Sequence, residues 1–430
     1  MYVKIDETEY TEITGLEFNP SADLTGSTVP INDLWVSIRT DDEVPVGSRV
    51  SLYDDNDRIW AKYWVTYSEI ENGGFKRVHG QSALFKLAQA PLEPIMYEDV
   101  TVGDALEDVL ATIGDEYEID EDIASETLNG YCPKQTARVR LQWICMAAGA
   151  YIREFFDDHM SIVPYGNVLD TTVGKQDVFW KPTVNHTDYV TAVVGTYYSY
   201  QEGVPTRQDR YVEVGGKTYI QSESSVTLTN PDVPEIALDN VVEISNVTLL
   251  NSSNIDAVLS RLALYNFKRM SVDMDIVDNG EVEPAQAILT YSDEDQIVAG
   301  FVKSASFRFG MRARASIELM GCEVREGAWL TVNYVWNDMT IGMKRFYFPV
   351  GIPYETDNPY LDVTFEDGHR FVLRPINDKT SGTMQSGGNT VSEPMTVALE
   401  YLDGALYTIS ADELNVIEGR YKEGDVVVYT

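Results

Sequence analysis

The chain has 430 residues, 44% of them hydrophobic and 11% aromatic, which is enough apolar material for about three domains with buried cores. Acidic residues number 69 against 32 lysines and arginines, a formal net charge of −37 with no dense basic run, and this excludes the basic patch of a nucleic-acid binder. No apolar stretch approaches bilayer length, and the opening MYVKIDETEYTEIT has neither a basic segment nor an apolar core, so neither a membrane span nor a secretory signal is expected.

Residues 1–92 read as a small β-barrel. Leu34 to Arg39, Arg49 to Tyr53 and Arg58 to Tyr67 are strand-like, with DDND (54–57) turning between two of them. ENGG (71–74) is a hairpin signal before the strand Phe75 to Val78. SALFKLAQ (82–89) predicts a short helix that Ser82 caps.

Residues 93–172 change character and predict an α/β insert. TVGDALEDVLATIG (101–114) has Thr101 at the N-cap with Asp104 three residues on, an apolar face of Val102, Leu106, Val109 and Ile113, and Gly114 as its stop. An acidic loop follows. In TARVRLQWICMAAGAYIREFFDDHMSIVPYG (136–166), Ala137, Leu141, Ile144, Cys145 and Ala148 form one buried helix stripe ending at Gly149. Tyr151 to Phe156 and Met160 to Val163 then make a hairpin, with Asp157 and Asp158 supplying turn chemistry.

Residues 173–325 predict a second β-barrel with one helix. Its strands are Tyr189 to Tyr200, Tyr211 to Val214, Lys217 to Gln221 and Val226 to Leu228. The helix spans 251–267, starts at Ser252 or Ser253, and turns Ile255, Leu259, Leu262 and Tyr265 inward. In 296–321, Met311, Ala313, Ala315, Ile317 and Leu319 alternate with Arg312, Arg314, Ser316 and Glu318, so one face is buried and the other wet, and Gly310 fits the hairpin turn. Residues 326–430 predict a C-terminal β domain with strands Phe346 to Phe348, Leu361 to Phe365, Phe371 to Leu373, Val397 to Tyr401, Ala405 to Ile409 and Val426 to Tyr429, and a loop-like stretch over 377–394 that is either a long hairpin tip or a mobile loop. The fold class is mainly β: two barrels, an α/β domain between them, and a β-rich end.

No residue set points to catalysis, a cofactor or a metal. Asp157, Asp158 and His159 sit together, but at a place where the hairpin must turn and Asp is favoured. DDND (54–57) and SDED (292–295) are also acidic turns. VDMDIVDNG (272–280) lacks the one-three-five spacing of a calcium loop, because Asp273, Asp275 and Asp278 fall out of register with the glycine. None of His79, His159, His186 and His369 pairs with another at ligand spacing. GTMQSGG (382–388) is no hydrolase elbow, since Met384 stands two before Ser386. Cys132, Cys145 and Cys322 are far apart and odd in number, matching no zinc or disulfide framework, and fit a chain folded in a reducing cytoplasm. Tyr334, Trp336, Phe346, Tyr347 and Tyr360 are either a sugar platform or, more commonly for such residues, core and interface packing.

Three pieces carry a resemblance: the strand-hairpin-strand running into a short helix at 58–89, the helix-Gly-Ala-hairpin at 136–164, and the helix at 247–269 ahead of the hairpin at 297–321. In this order they resemble the tail-hub, or baseplate-hub, proteins of bacteriophages and related particles, especially those of Gram-positive hosts, over residues 1–325. The resemblance implies tail-tube-like barrels and a homotrimer whose six barrels form a ring at the distal end of a virion tail. It also implies a tail-tube or distal tail protein above, a tip, spike or fibre protein below, contact with the host envelope, and DNA passing through without specific binding. The acidic balance is then either a solubility surface or a channel wall that keeps a polyanion from adhering. The alternative function is a tail-tip cell-wall hydrolase or glycan-binding adhesin acting through residues 326–430.

Overall fold

Alternating apolar residues in the first 81 positions lay down seven strands: β1 (Tyr2–Ile5), β2 (Thr8–Tyr10), β3 (Ile13–Asn19), β4 (Asp33–Arg39), β5 (Arg49–Tyr53), β6 (Ile59–Ile70) and β7 (Phe75–Gln81). The computed structural model describes residues 1–26, 28–165, 169–173, 178–234, 236–277, 282–292, 297–309 and 313–324, and the backbone of strands between 327 and 408. The strands pair antiparallel in the order β3-β4-β7-β6-β5-β1-β2. Leu34, Val36 and Ile38, two apart on β4, are fully buried, as the period of a half-wet strand requires.

The sheet does not end at β3. Strand Ile297–Phe309 pairs with β3 through Phe307 opposite Phe18 and Arg308 opposite Glu17, and Ala313–Val324, Met270–Val277 and Thr183–His186 continue outward. Ala287–Tyr291 pairs with Ile297–Phe309 and, in parallel, with Leu169–Thr172. The strands of the first barrel and those of the 296–321 hairpin are thus members of one 13-stranded sheet. On Ala313–Val324 the expected alternation appears, with Ala315, Ile317 and Leu319 buried; Gly310, Met311 and Arg312 lie outside the described residues.

At the seam, Phe307 stacks on Phe18 with ring centroids 5.9 Å apart. Trp60 meets Phe307 edge-on at 5.1 Å, and Phe156 meets Trp60 at 5.0 Å and Phe307 at 5.6 Å. Ser306 Oγ donates to Asn19 Oδ1 at 2.7 Å beside the rings. Phe156 comes from the hairpin of the insert, so one aromatic cluster joins both halves of the sheet to the α/β elements.

Among the described residues, five helices supply those elements: α1 (Leu84–Leu87), α2 (Val102–Leu110), α3 (Glu121–Ser125), α4 (Ala137–Ala148) and α5 (Ile255–Asn266). Thr101 caps α2, its hydroxyl accepting from Asp104 N at 3.1 Å, and Val102, Leu106, Val109 and Ile113 are buried. Thr136 caps α4, whose predicted stripe is buried, and Gly149 ends it at φ 68°, a left-handed value that suits glycine. Several local expectations need correction. Ser82 does not cap α1; it is fully buried beside Glu154. The acidic loop contains α3, because Asp120 caps it through the amides of Asp122 and Ile123 and Ile123 seats it in the core. The cap position of α5 is Asn254, while Asn251 takes the Ser253 amide instead. Lys217–Thr229 is one strand rather than two, because its polar middle stays paired with Ala192–Glu202 throughout.

The strands Arg210–Val214, Lys217–Thr229, Ala192–Glu202 and Val241–Ile244 form a separate four-stranded sheet. Read from sequence as part of the second barrel, this sheet and α5 share a core with α2 and α4 through Val193, Ile255, Leu259 and Leu262. Gly195 permits the approach: a β-carbon there would stand 2.6 Å from Ile255 Cδ1 and 2.9 Å from Leu259 Cδ2.

The chain divides into two compact units, Met1–Glu323 and Val324–Thr430. In the second, Gly327–Trp336 and Met339–Pro349 form a long hairpin, and Leu361–Thr364, His369–Leu373, Gln385–Ser386 and Asn389–Thr390 form a four-stranded sheet. In the stretch 377–394, for which a hairpin tip is one of the two expectations, Gln385–Ser386 pairs antiparallel with Asn389–Thr390. The predicted strand Val426 to Tyr429 lies outside the described residues.

Phe307→Ala is expected to lower stability by about 3–5 kcal/mol, the usual cost of a phenyl-sized void, read as a fall in urea midpoint at unchanged slope. A shift under about 1 kcal/mol would show that the seam does not carry the sheet. Gly195→Ala should cost about 1–3 kcal/mol by overpacking against α5. Adding Ile255→Val, which removes the methyl nearest the new β-carbon, should return part of that loss in a double-mutant cycle. Strict additivity of the two changes would refute the contact.

Candidate functional site

The described residues bring the sequence-level candidates together at one place only, the tip between strands Ala150–Arg153 and Met160–Pro164. Pairing of Ile152 with Ile162 sets the register, and Phe156 turns the chain at φ 57° while its amide donates to Trp60 O at 2.9 Å. A left-handed conformation at a residue with a β-carbon costs about 1–2 kcal/mol, and the buried ring offsets it.

Asp157, Asp158 and His159 follow. Asp157 Oδ1 accepts from the Asp158 amide at 2.8 Å, which is the expected turn chemistry. Arg153 joins Asp157 (3.2 Å) and, through two nitrogens, Glu283 (2.9 and 3.1 Å). His159 Nδ1 lies 2.6 Å from Asp158 Oδ1 and 3.2 Å from Asp157 Oδ1, and Nε2 lies 3.0 Å from Glu118 Oε2. The bond to Asp158, with Glu118 and Asp157 assisting, raises the imidazole above its ordinary value, and the same bond lowers Asp158.

A cavity of about 330 Å³ adjoins this tip, lined by Arg49, Lys62, Asp115, Glu154 and the Asp157–His159 run. Asp115 is held by the Arg49 guanidinium and by Trp64 Nε1 at 2.8 Å. Glu154 is 7% exposed, and its Oε2 has no hydrogen-bond partner. Burial pushes its carboxyl up to about 8, against the opposing pull of Ser82 and the Leu84 amide. The sequence reading passed over Glu154, because a lone glutamate in a strand-like run carries no signal of burial.

The other candidates have structural duties. His79 stacks on Trp35 with centroids 4.0 Å apart, contacts Thr66 Oγ1 at 3.1 Å and faces Asp33 at 3.5 Å. His186 sits exposed on Thr183–His186. Asp54 Oδ1 accepts from the amides of Asn56 and Arg58, so DDND is a turn. Asp273 and Asp275 lie on the strand Met270–Val277 rather than in a loop; Asn185 donates to Asp273, and Arg314 and Ser316 hold Asp275. They line a groove of about 690 Å³ with Asn19, Asp33, Trp180 and Glu318, where Lys303 engages Glu318 at 2.7 Å. Asp278, residues 293–295, Met384 and Tyr360 lie outside the described residues, as do the side chains of Tyr334, Trp336, Phe346, Tyr347, His369 and Ser386. Cys132, Cys145 and Cys322 are buried free thiols, each pushed up to about 12 by burial and therefore inert as nucleophiles. Among the described residues no helix is long and apolar enough to cross a membrane.

No protein-family model matches the chain, and no curated protein matches it. Solved structures do. A tail protein from Neisseria meningitidis MC58 is 11% identical and superposes with a TM-score of 0.51, the match covering 74% of this chain and 95% of that one. A 43 kDa tail protein of prophage MuSo2 from Shewanella oneidensis is 9% identical with the same TM-score, over 74% of this chain and 96% of its own. The fold is that of phage tail proteins. Within this tail-protein fold, the seam and the hairpin tip are the places where distant segments of the chain meet.

Glu154 gives a pH prediction. An unfolded glutamate loses its proton near pH 4.5, whereas the folded one keeps it to about pH 8. Between those values the folded state binds more protons, so stability falls as pH rises through this window. The total is roughly 3–5 kcal/mol. Glu154→Gln should remove this slope in urea melts between those two pH values; an unchanged slope would contradict the burial of the acid.

Proposed function

We propose that this chain is a structural hub at the distal end of a phage or phage-like tail, three copies forming a ring that joins the hexameric tail tube to the tip and encloses the DNA channel. The observation that carries this reading is the single sheet spanning residues 2–324, whose two halves meet at Phe18 and Phe307. Two similar β-lobes fixed rigidly in each copy let three copies present six similar lobes, which is what a junction between sixfold and threefold symmetry requires. The tail-protein fold of the neighbours supports it.

A ring also needs surface to bury between copies. Val204, Ile236 and Leu238 are 91%, 88% and 88% exposed, and Trp180 is 69% exposed. We assign Val204, Ile236 and Leu238 to contacts between neighbouring copies. The excess of acids gives the channel a wall that repels DNA, since counterion release would otherwise make phosphate contacts adhesive. That repulsion survives screening within a Debye length of about 8 Å. The tail tube or distal tail protein above and the tip, spike or fibre protein below are the expected partners, and the role is structural rather than catalytic.

Native mass spectrometry of the chain in assembled particles should give a trimer. Ile236→Asp combined with Leu238→Asp should shift the isolated protein toward monomer without lowering its melting temperature. A chain found as a monomer within particles, or a double variant that trimerises normally, would overturn the respective claim.

A further inference from the structure

A hairpin tip bearing two aspartates and a histidine has an ordinary use as a turn, and Asp157 serves it. Three features exceed that use. One ligand atom from each of Asp157, Asp158 and His159 lies within 4.8 Å of the others. Of the separations from His159 Nδ1, 3.2 Å to Asp157 falls within the spacing of adjacent donors sharing one ion, roughly 3.0–3.4 Å for bonds of about 2.1 Å, and 2.6 Å to Asp158 is short of it, so that carboxylate would open slightly to admit an ion.

The second feature is the orientation of the ring. While Nδ1 faces the two aspartates, Nε2 meets Glu118 Oε2 at 3.0 Å. Metal-bound imidazoles are held this way, the remote nitrogen donating to a carboxylate that fixes the tautomer and strengthens the ligand. Glu118 is supplied by the strand Tyr117–Ile119, which pairs in parallel with Met160–Pro164, so the fold places it there independently of the turn.

The third lies in the adjoining cavity. Glu154 lines the same space as the triad, is 7% exposed, and presents an Oε2 with no hydrogen-bond partner. A buried carboxylate oxygen left without a donor is costly unless something else meets it. The nearby cations do not remove the case. Arg153 engages Asp157 through Oδ2 and leaves Oδ1 toward His159, Arg49 is committed to Asp115, and Lys62 acts on Asp158 through its charge.

We propose that Asp157, Asp158 and His159 bind one first-row divalent cation, with Glu154 as a further carboxyl on the same cavity that gives up its proton when the ion enters. The imidazole selects zinc over manganese, calcium and magnesium, which favour all-oxygen sets. The bound ion pins the tip whose Phe155 and Phe156 are buried in the core of the large sheet. It is a structural site, and it stands whether or not the chain is a tail hub.

The test is calorimetric titration of the full, chelator-treated chain with zinc, manganese and calcium chlorides. One saturable zinc site per chain is expected, with manganese and calcium about tenfold weaker or more, and a rise in melting temperature at saturating zinc. His159→Gln should abolish the site. Glu118→Gln, at a side chain 72% exposed, should weaken it by about 10–100-fold while leaving the metal-free melt unchanged. Absence of saturable binding up to millimolar ion would overturn the proposal. So would equal affinity in His159→Gln, which would assign the ions to the general acidic surface.

Discussion

The stacking of Phe307 on Phe18 is the contact on which the rest of the first unit depends. Without it β3 and Ile297–Phe309 would each present a bare sheet edge, a row of unpaired amides and carbonyls that invites pairing with other chains. Closing the edges onto each other removes that hazard and makes one sheet of two. The segments are far apart in the chain, Asn19 and Ser306 being separated by 287 positions. Loop-closure entropy grows only with the logarithm of such a span, whereas each aromatic ring buries about 150–250 Å². A cluster of Phe18, Trp60, Phe156 and Phe307 is therefore ample compensation.

The insert is fastened to the same cluster by a plug. Its hairpin sends Phe155 and Phe156 into the sheet core, and Tyr63 reaches back to donate to the Glu154 carbonyl at 2.9 Å. Two unfavourable local features travel with the plug: a left-handed phenylalanine and a buried glutamate. Each costs on its own, and both sit within three residues of the cluster. Strain of this kind persists only where surrounding packing over-determines the backbone, and here the rings of Phe18, Trp60, Phe155 and Phe307 pack against Phe156.

What the sequence made legible follows from the range of the interactions concerned. Thr101, Thr136 and Gly149 announce α2 and α4 because a cap is a contact between residues three or four apart. The alternation of Ala315, Ile317 and Leu319 is equally local. The partner of β3 was not legible, since nothing in ITGLEFN names a strand near residue 300. The same limit explains why α5 was assigned to the second barrel: its apolar face says that it packs, while only the missing side chain of Gly195 says against what. At the tip, Asp157 and Asp158 were readable as a turn, but Glu118 and Glu154 reach the site by strand pairing and burial, which no spacing encodes.

The distribution of partners among the acids separates two kinds of carboxylate. Along the large sheet, Asp33, Asp273, Asp275 and Glu318 are already engaged by histidine, asparagine, arginine and lysine. A group fixed in such pairs is poorly suited to general acid-base work, which needs a carboxyl free to exchange its proton with a substrate. The buried exception among the described residues is Glu154, whose Oε2 is unpartnered. It belongs to the segment that plugs the seam and sits beside the aspartates and histidine of the turn. Chemistry confined to that point acts on the joint between insert and sheet. An ion bound there would change how firmly the hairpin of the insert is held against the sheet.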